Sequence, residues 1–155
     1  MNETTTTHET LVFERDFGCP VEILYEAFAD PIARARWGLP SPMATIIYDK
    51  ADFRVGGRDV SRCGAKDDPR FLVEAVYLNI GANQRVVYSE KVDDGDRATS
   101  AALHTIEMSR DGSNARLKVT VQLAAFDGED AAAGVRFGFN AALDNLREEI
   151  EARGT

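Results

Sequence analysis

The feature that most limits what this chain can become is a long uninterrupted series of β-type runs followed by one helical one. From Met43 to about Leu123 six runs rich in β-branched and aromatic residues follow one another: MATIIYDKADF, RDVSRCG, RFLVEAVYLNI, QRVVYSEKV, ATSAALHTIEM and ARLKVTVQLAAF. The segments between them, VGG, AKDDP, GAN, DDGD and RDGSN, have turn compositions at hairpin lengths. Consecutive hairpins make an antiparallel meander, so no crossover helices are expected inside it.

Upstream, TLVFERDF sets Leu11, Phe13 and Phe17 against polar neighbours with a period near two, as in a strand buried on one face. In PVEILYEAFADP, Pro20 suits a first helical turn and Val21, Leu24, Ala27 and Phe28 recur at helical spacing until Pro31. A second short helix is expected through Ile32 to Trp37, stopped by GLPSP. Downstream, Glu129 to Arg153 carries Val135, Phe139, Ala142, Leu143, Leu146 and Ile150 on one face and Arg147, Glu148, Glu149 and Glu151 elsewhere, the pattern of a long amphipathic helix. Asp127 or Asp130 is expected to cap its start. A sheet of seven antiparallel strands has a face to bury, and this helix is the only long amphipathic element able to cover it. The expected fold is therefore α+β, one domain over 10–153 behind a polar tail at 1–9.

Composition narrows the function classes. With 155 residues, of which 44% are hydrophobic, the chain suits a single domain burying roughly 70% of its unfolded surface. Its 18 basic and 26 acidic residues give a net charge of −8. The arginines nearest to a cluster, Arg54, Arg58, Arg62 and Arg70, are interleaved with Asp49, Asp52, Asp59, Asp67 and Asp68, so nucleic acid is disfavoured. No apolar run suits a membrane span, and Cys19 and Cys63 are two separated thiols with no CxxC spacing, so a cytoplasmic protein without disulfides is expected.

Motifs of chemistry are sparse. HExxH, GxSxG and P-loop patterns are missing, and two histidines cannot build a metal site of clustered imidazoles; neither metal nor cofactor is expected. The acidic run DGED lacks the ligand spacing of a calcium loop and reads as a solvated turn. Gly134 and Gly138, which flank VRF, are better explained by close helix-to-sheet packing than by a dinucleotide fingerprint. In DFRVGGRDVSRCG the glycines lead into a strand-like run rather than a helix, which argues for a tight corner over a phosphate cradle. Arg54 and Arg58 are expected to pair with Asp52 or Asp59 across that corner.

His104 stands out. In SAALHTIEM it shares a face with Ala102, Ile106 and Met108, which points its imidazole toward the covering helix. Glu90, two residues after Tyr88 on the same face, is the expected carboxylate partner. Such a pair suits acid or base work near neutral pH, although a wall histidine hydrogen-bonded to a tyrosine or a carbonyl is the commoner arrangement.

Four stretches together resemble a known family: CPVEILYEAFADPIARARW, DFRVGGRDVSRCG, YLNIGANQRVVYSE and GFNAALDNL. In this order they are similar to the START-like or SRPBCC superfamily with its helix-grip fold, and within it to the branch named for the C-terminal domain of the activator of heat-shock-protein-ninety ATPase (AHSA-type). The chain departs from many relatives at Gly81, Ala82 and Asn83, where a Pro-containing turn is common, and at Phe139, where a tryptophan is. The resemblance implies a seven-stranded sheet curved around the C-terminal helix, with two short helices after the first strand and a cavity between them. Phe28, Trp37, Tyr48, Tyr77, Tyr88, Glu90, His104, Ile106, Met108, Phe139 and Leu143 are the expected cavity residues. The expected function is non-enzymatic binding of a small apolar or aromatic molecule. The alternatives are an enzyme using His104 (a cyclase, dehydratase or hydrolase on an aromatic or polyketide-like substrate) and an interaction module, either a chaperone co-factor or a homodimer. Chaperone stimulation is not favoured, because the chain resembles the C-terminal-type domain alone.

Overall fold

A computed structural model describes residues 6–126 and 130–153. The elements run β1 (Thr7–Phe17), α1 (Val21–Ala29), α2 (Pro31–Trp37), β2 (Ala44–Lys50), β3 (Arg58–Ala65), β4 (Asp68–Gly81), β5 (Arg85–Asp93), β6 (Ala98–Asp111), β7 (Asn114–Ala125) and α3 (Asp130–Arg153). All seven strands form one antiparallel sheet in the order β1-β7-β6-β5-β4-β3-β2. The meander is unbroken from β2 to β7, and only β1 joins out of sequence, closing beside β7. This is the helix-grip architecture: a curved sheet, a C-terminal helix on its inner face and two short helices after the first strand.

Period-two patterning sets the inner face. Along β7, Ala115, Leu117, Val119, Val121, Leu123 and Ala125 are all buried, while the residues between them are mostly polar and turned outward. Leu11, Phe13 and Phe17 continue that face on β1, where Leu11 pairs with Val121 and Phe13 with Val119. β1 begins at Thr7, earlier than its hydrophobic pattern does. β7 runs on to Ala125, and Thr7, His8 and Glu9 pair with Ala125, Ala124 and Leu123 through the backbone, whatever their side chains.

The short helices obey their prolines. Pro20 stands at the cap position of α1, its carbonyl accepting from the Ile23 and Leu24 amides, and Val21, Leu24, Ala27 and Phe28 are buried. Asp30 ends α1 and caps α2, its carboxylate accepting from the Ile32 amide at 2.9 Å with Pro31 in the first turn. The Trp37 indole donates to the Ala27 carbonyl at 3.0 Å, locking α2 onto α1. Asn145 on α3 donates to the carbonyls of Trp37 and Leu39, which ties the long helix to the end of α2. The capping expected from Asp127 or Asp130 concerns 127–129, outside the described residues, and the Asp130 side chain, equally undescribed.

The glycine pair forms the corner between β2 and β3. Gly56 has φ of +84°, and a Cβ on Gly57 would lie 2.1 Å from the Asp52 carbonyl oxygen. The corner also bonds to β4, since the Gly56 amide donates to the Tyr77 carbonyl and the Tyr77 amide to the Gly57 carbonyl. Of the charges around it, Arg54 pairs with Asp52 at 2.8 Å and Arg58 approaches Glu74 at 3.9 Å. Asp59 takes no part in this surface pairing. Strand alternation turns it inward, where it is buried. Gly57→Ala is expected to cost more than about 2 kcal/mol, because its clash is with backbone, and Gly56→Ala about 1–2 kcal/mol from the left-handed φ alone. Urea denaturation of the two variants checks the order.

Candidate functional site

The inner face of the sheet and α3 do not meet everywhere. Between them lies a cavity of about 400 Å³, walled by α1, α2, β2 to β6 and α3. Of the residues expected there, Phe28, Trp37, Tyr48, Tyr77, Tyr88, Glu90, His104, Ile106 and Phe139 line it. Met108 and Leu143 do not; both are buried in the hydrophobic core. Met108 lies two residues beyond Ile106 along β6, about 7 Å further, which carries it past the end of the lumen. Leu143 follows the lining residue Ala142 and is turned about 100° around α3, into the core.

Gly134 and Gly138 also line the cavity, and a Cβ on either would meet no atom within 4 Å. The close helix-to-sheet packing expected of them is therefore absent. They leave room between helix and sheet instead of bringing the two together.

The polar groups fall into two sets. In the first, Arg34 of α2 donates to Asp59 of β3 at 2.6 Å and stacks over Tyr48 of β2, its guanidinium carbon 5.0 Å from the ring centroid. The Tyr77 hydroxyl donates to the same Asp59 oxygen through a short hydrogen bond, and the Asp52 amide donates to the other oxygen at 3.2 Å. Asp59 is thereby satisfied on both oxygens. The Nε and Nη2 of Arg34 are buried without a protein partner. Sequence reasoning missed this pair, since Arg34 and Asp59 lie 25 residues apart on different elements.

In the second set, His104 Nε2 lies 3.3 Å from Glu90 Oε1, and the imidazole stacks on Tyr88 with centroids 4.6 Å apart and planes 11° from parallel. Phe139 of α3 lies 5.7 Å from the imidazole on a tilted plane and stacks on Phe13 of β1. His104 Nδ1 is buried without a partner. Tyr77 links the two sets, edge-on to Tyr88 at 5.9 Å and to Phe53 at 5.0 Å.

Burial raises the pKa of every tyrosine. The Tyr48 phenol is pushed up to about 12, mainly by burial and partly offset by Arg34. Tyr77 is raised by burial and by its bond to Asp59, Tyr88 by burial and then by Glu90, and Tyr25 by burial. Burial, with Glu90 adding to it, likewise pushes the half-buried Cys63 thiol upward. Among the described residues no group of His, Cys, Asp and Glu is arranged to hold a metal, and no helix is long and apolar enough to cross a membrane.

The chain matches, over residues 18–151, the family described as Activator of Hsp90 ATPase homolog 1-like protein. It belongs to that family. Among solved structures it is similar to protein Mll3558 from Rhizobium loti, with 34% identity and a TM-score of 0.82 over 94% of this chain and 99% of that one. An uncharacterised protein from Rhizobium leguminosarum is 25% identical, with a TM-score of 0.82 over 96% and 97%. The AHSA1 protein from Silicibacter pomeroyi, 20% identical with a TM-score of 0.76 over 94% and 99%, shares the fold. No curated protein matches this family member.

Removing only Arg34 leaves a buried carboxylate uncompensated, so Arg34→Met is expected to destabilise the fold by about 3–5 kcal/mol, and the double variant with Asp59→Leu to recover most of that loss. A denaturant double-mutant cycle measures it. The tyrosines predict an alkaline limit: their folded pKa values exceed the unfolded value near 10, so unfolding releases protons above that pH. The stability they contribute is full below about pH 10. For each such tyrosine it then falls by about 1.4 kcal/mol per pH unit until the folded pKa, near pH 12 for Tyr48, is passed. Absorbance at the tyrosinate band is expected to rise together with unfolding rather than as a separate step near pH 10.

Proposed function

We propose that this chain binds a small, largely apolar molecule in the cavity between the sheet and α3, without transforming it. The observation that carries this reading is a lumen of about 400 Å³ bordered by Gly134 and Gly138, where an added Cβ meets open space, on a helix that glycine disfavours. Aromatic and aliphatic side chains of the short helices and α3 face polar groups on the sheet side, so that apolar burial can supply affinity while hydroxyls set orientation. A cytoplasmic location and a single domain over 10–153, lengthened at its start by the strand residues Thr7 to Glu9, belong to the same reading, supported by the free thiols and by a family match that spans most of that range.

A second reading has its own observation. His104 and Glu90, 3.3 Å apart inside the cavity, form a pair able to relay a proton, as an enzyme acting on an aromatic or polyketide-like substrate would need. Against it, Tyr88 and Phe139 flank the imidazole and its free nitrogen is sealed among other atoms.

Gly138→Leu separates binding from folding. The leucine has space to enter the lumen and removes a mid-helix glycine worth about 1 kcal/mol, so the free protein is expected to melt at the same temperature or higher. Any small molecule that co-purifies with the wild type in native mass spectrometry, and the stabilisation it confers, should be lost. Undiminished ligand occupancy in this variant would place the molecule elsewhere.

A further inference from the structure

We infer that the molecule held in this cavity carries a positive charge: a hydrophobic amine that sets its ammonium group against Glu90. This inference rests on the cavity being a binding site and adds the sign of the ligand's charge.

Among the described residues, the charged groups on the lumen wall are Arg34, Asp59 and Glu90, with His104 titratable. Arg34 and Asp59 cancel each other at 2.6 Å, and Asp59 receives further hydrogen bonds from Tyr77 and the Asp52 amide. The unpartnered nitrogens of Arg34 have the charge to suit an anion, but they carry essentially no accessible surface, so a group in the lumen does not reach them. Glu90 is different. Its side chain is 24% exposed, against 8% for Asp59, and its one charged contact is the His104 nitrogen at 3.3 Å.

The sheet leaves Glu90 without a cation of its own. Its cross-strand partners are Ala75 on β4 and Ala102 on β6, and its same-face neighbours along β5 are Tyr88 and Val92. With alanine at both pairing positions, neither neighbouring strand sets a lysine or arginine opposite the carboxylate, and among the described residues no lysine or arginine forms an ion pair with it. Apart from the titratable His104, the lining sets two carboxylates against one guanidinium, an excess of one negative charge, in a protein whose net charge of −8 disfavours anions at longer range as well. The rings of Trp37, Tyr48 and Phe139 also line the lumen and suit the apolar body of an amine.

The test is a matched series on the full chain at neutral pH: naphthylmethylamine, naphthylmethanol and naphthoic acid, titrated calorimetrically. A charge-assisted contact predicts that the amine binds roughly ten- to a hundredfold more tightly than the alcohol, with the acid weakest. Glu90→Gln should erase the amine's advantage over the alcohol. If amine and alcohol bind alike, if the acid binds best, or if Glu90→Gln keeps the preference, the inference is overturned while the apolar cavity stands. If none of the three binds, both fall. The wild-type series decides the matter even if Glu90→Gln does not fold.

Discussion

One helix cannot cover seven strands. Strands about 4.8 Å apart make this sheet roughly 29 Å across, whereas a helix with its side chains is about 10–12 Å wide. α3 spends its apolar stripe on β1 and β7, where Phe139 stacks on Phe13 and where Leu143, Leu146 and Ile150 are buried. α1 and α2 shelter part of the remaining face, and the cavity is the region left between them. The site is therefore a consequence of unequal layers, enlarged by glycines at two positions where side chains would have narrowed it.

Within that region polar residues replace the apolar face of β7. Tyr48, Asp59, Tyr77, Tyr88, Glu90 and His104 occupy successive strands from β2 to β6, so the sheet side of the lumen is a polar floor and α3 an apolar roof. Of the charges on that floor, Asp59 is fully paired. Asp59 is bonded to Arg34, Tyr77 and the Asp52 amide, and the corner at Gly56 and Gly57 brings β3 and Tyr77 into the register this requires. A buried ion pair of this kind contributes little net stability, whereas removing one partner alone is costly.

Much of the architecture was legible in the sequence. The hairpin-length turns between β-rich runs define the meander, the alternation in TLVFERDF and ARLKVTVQLAAF defines the buried face, and Pro20, Pro31 and Asp30 bound the short helices. Glu90 and His104 were placed on the inner face by period two, which is a local property. Met108 and Leu143 were placed in the cavity because they continue a face or a turn that lines it, but where a lumen ends depends on facing elements rather than on a strand's own pattern. Asp59 read as a surface charge because its nearest neighbours in sequence are Arg58 and Arg62, whereas its actual partner comes from α2.

The sequence by itself determined what local physics dictates: which segments are strands, which are helices, where each turns and which side of each is apolar. Family membership and the helix-grip fold follow from that order. Tertiary structure alone decided that Arg34 meets Asp59, that Gly134 and Gly138 border open space instead of a close contact, and that Glu90 faces the lumen between two alanines. These are facts about distances between segments far apart in the chain, and such distances are set by how layers of unequal width pack, which no short-range pattern encodes.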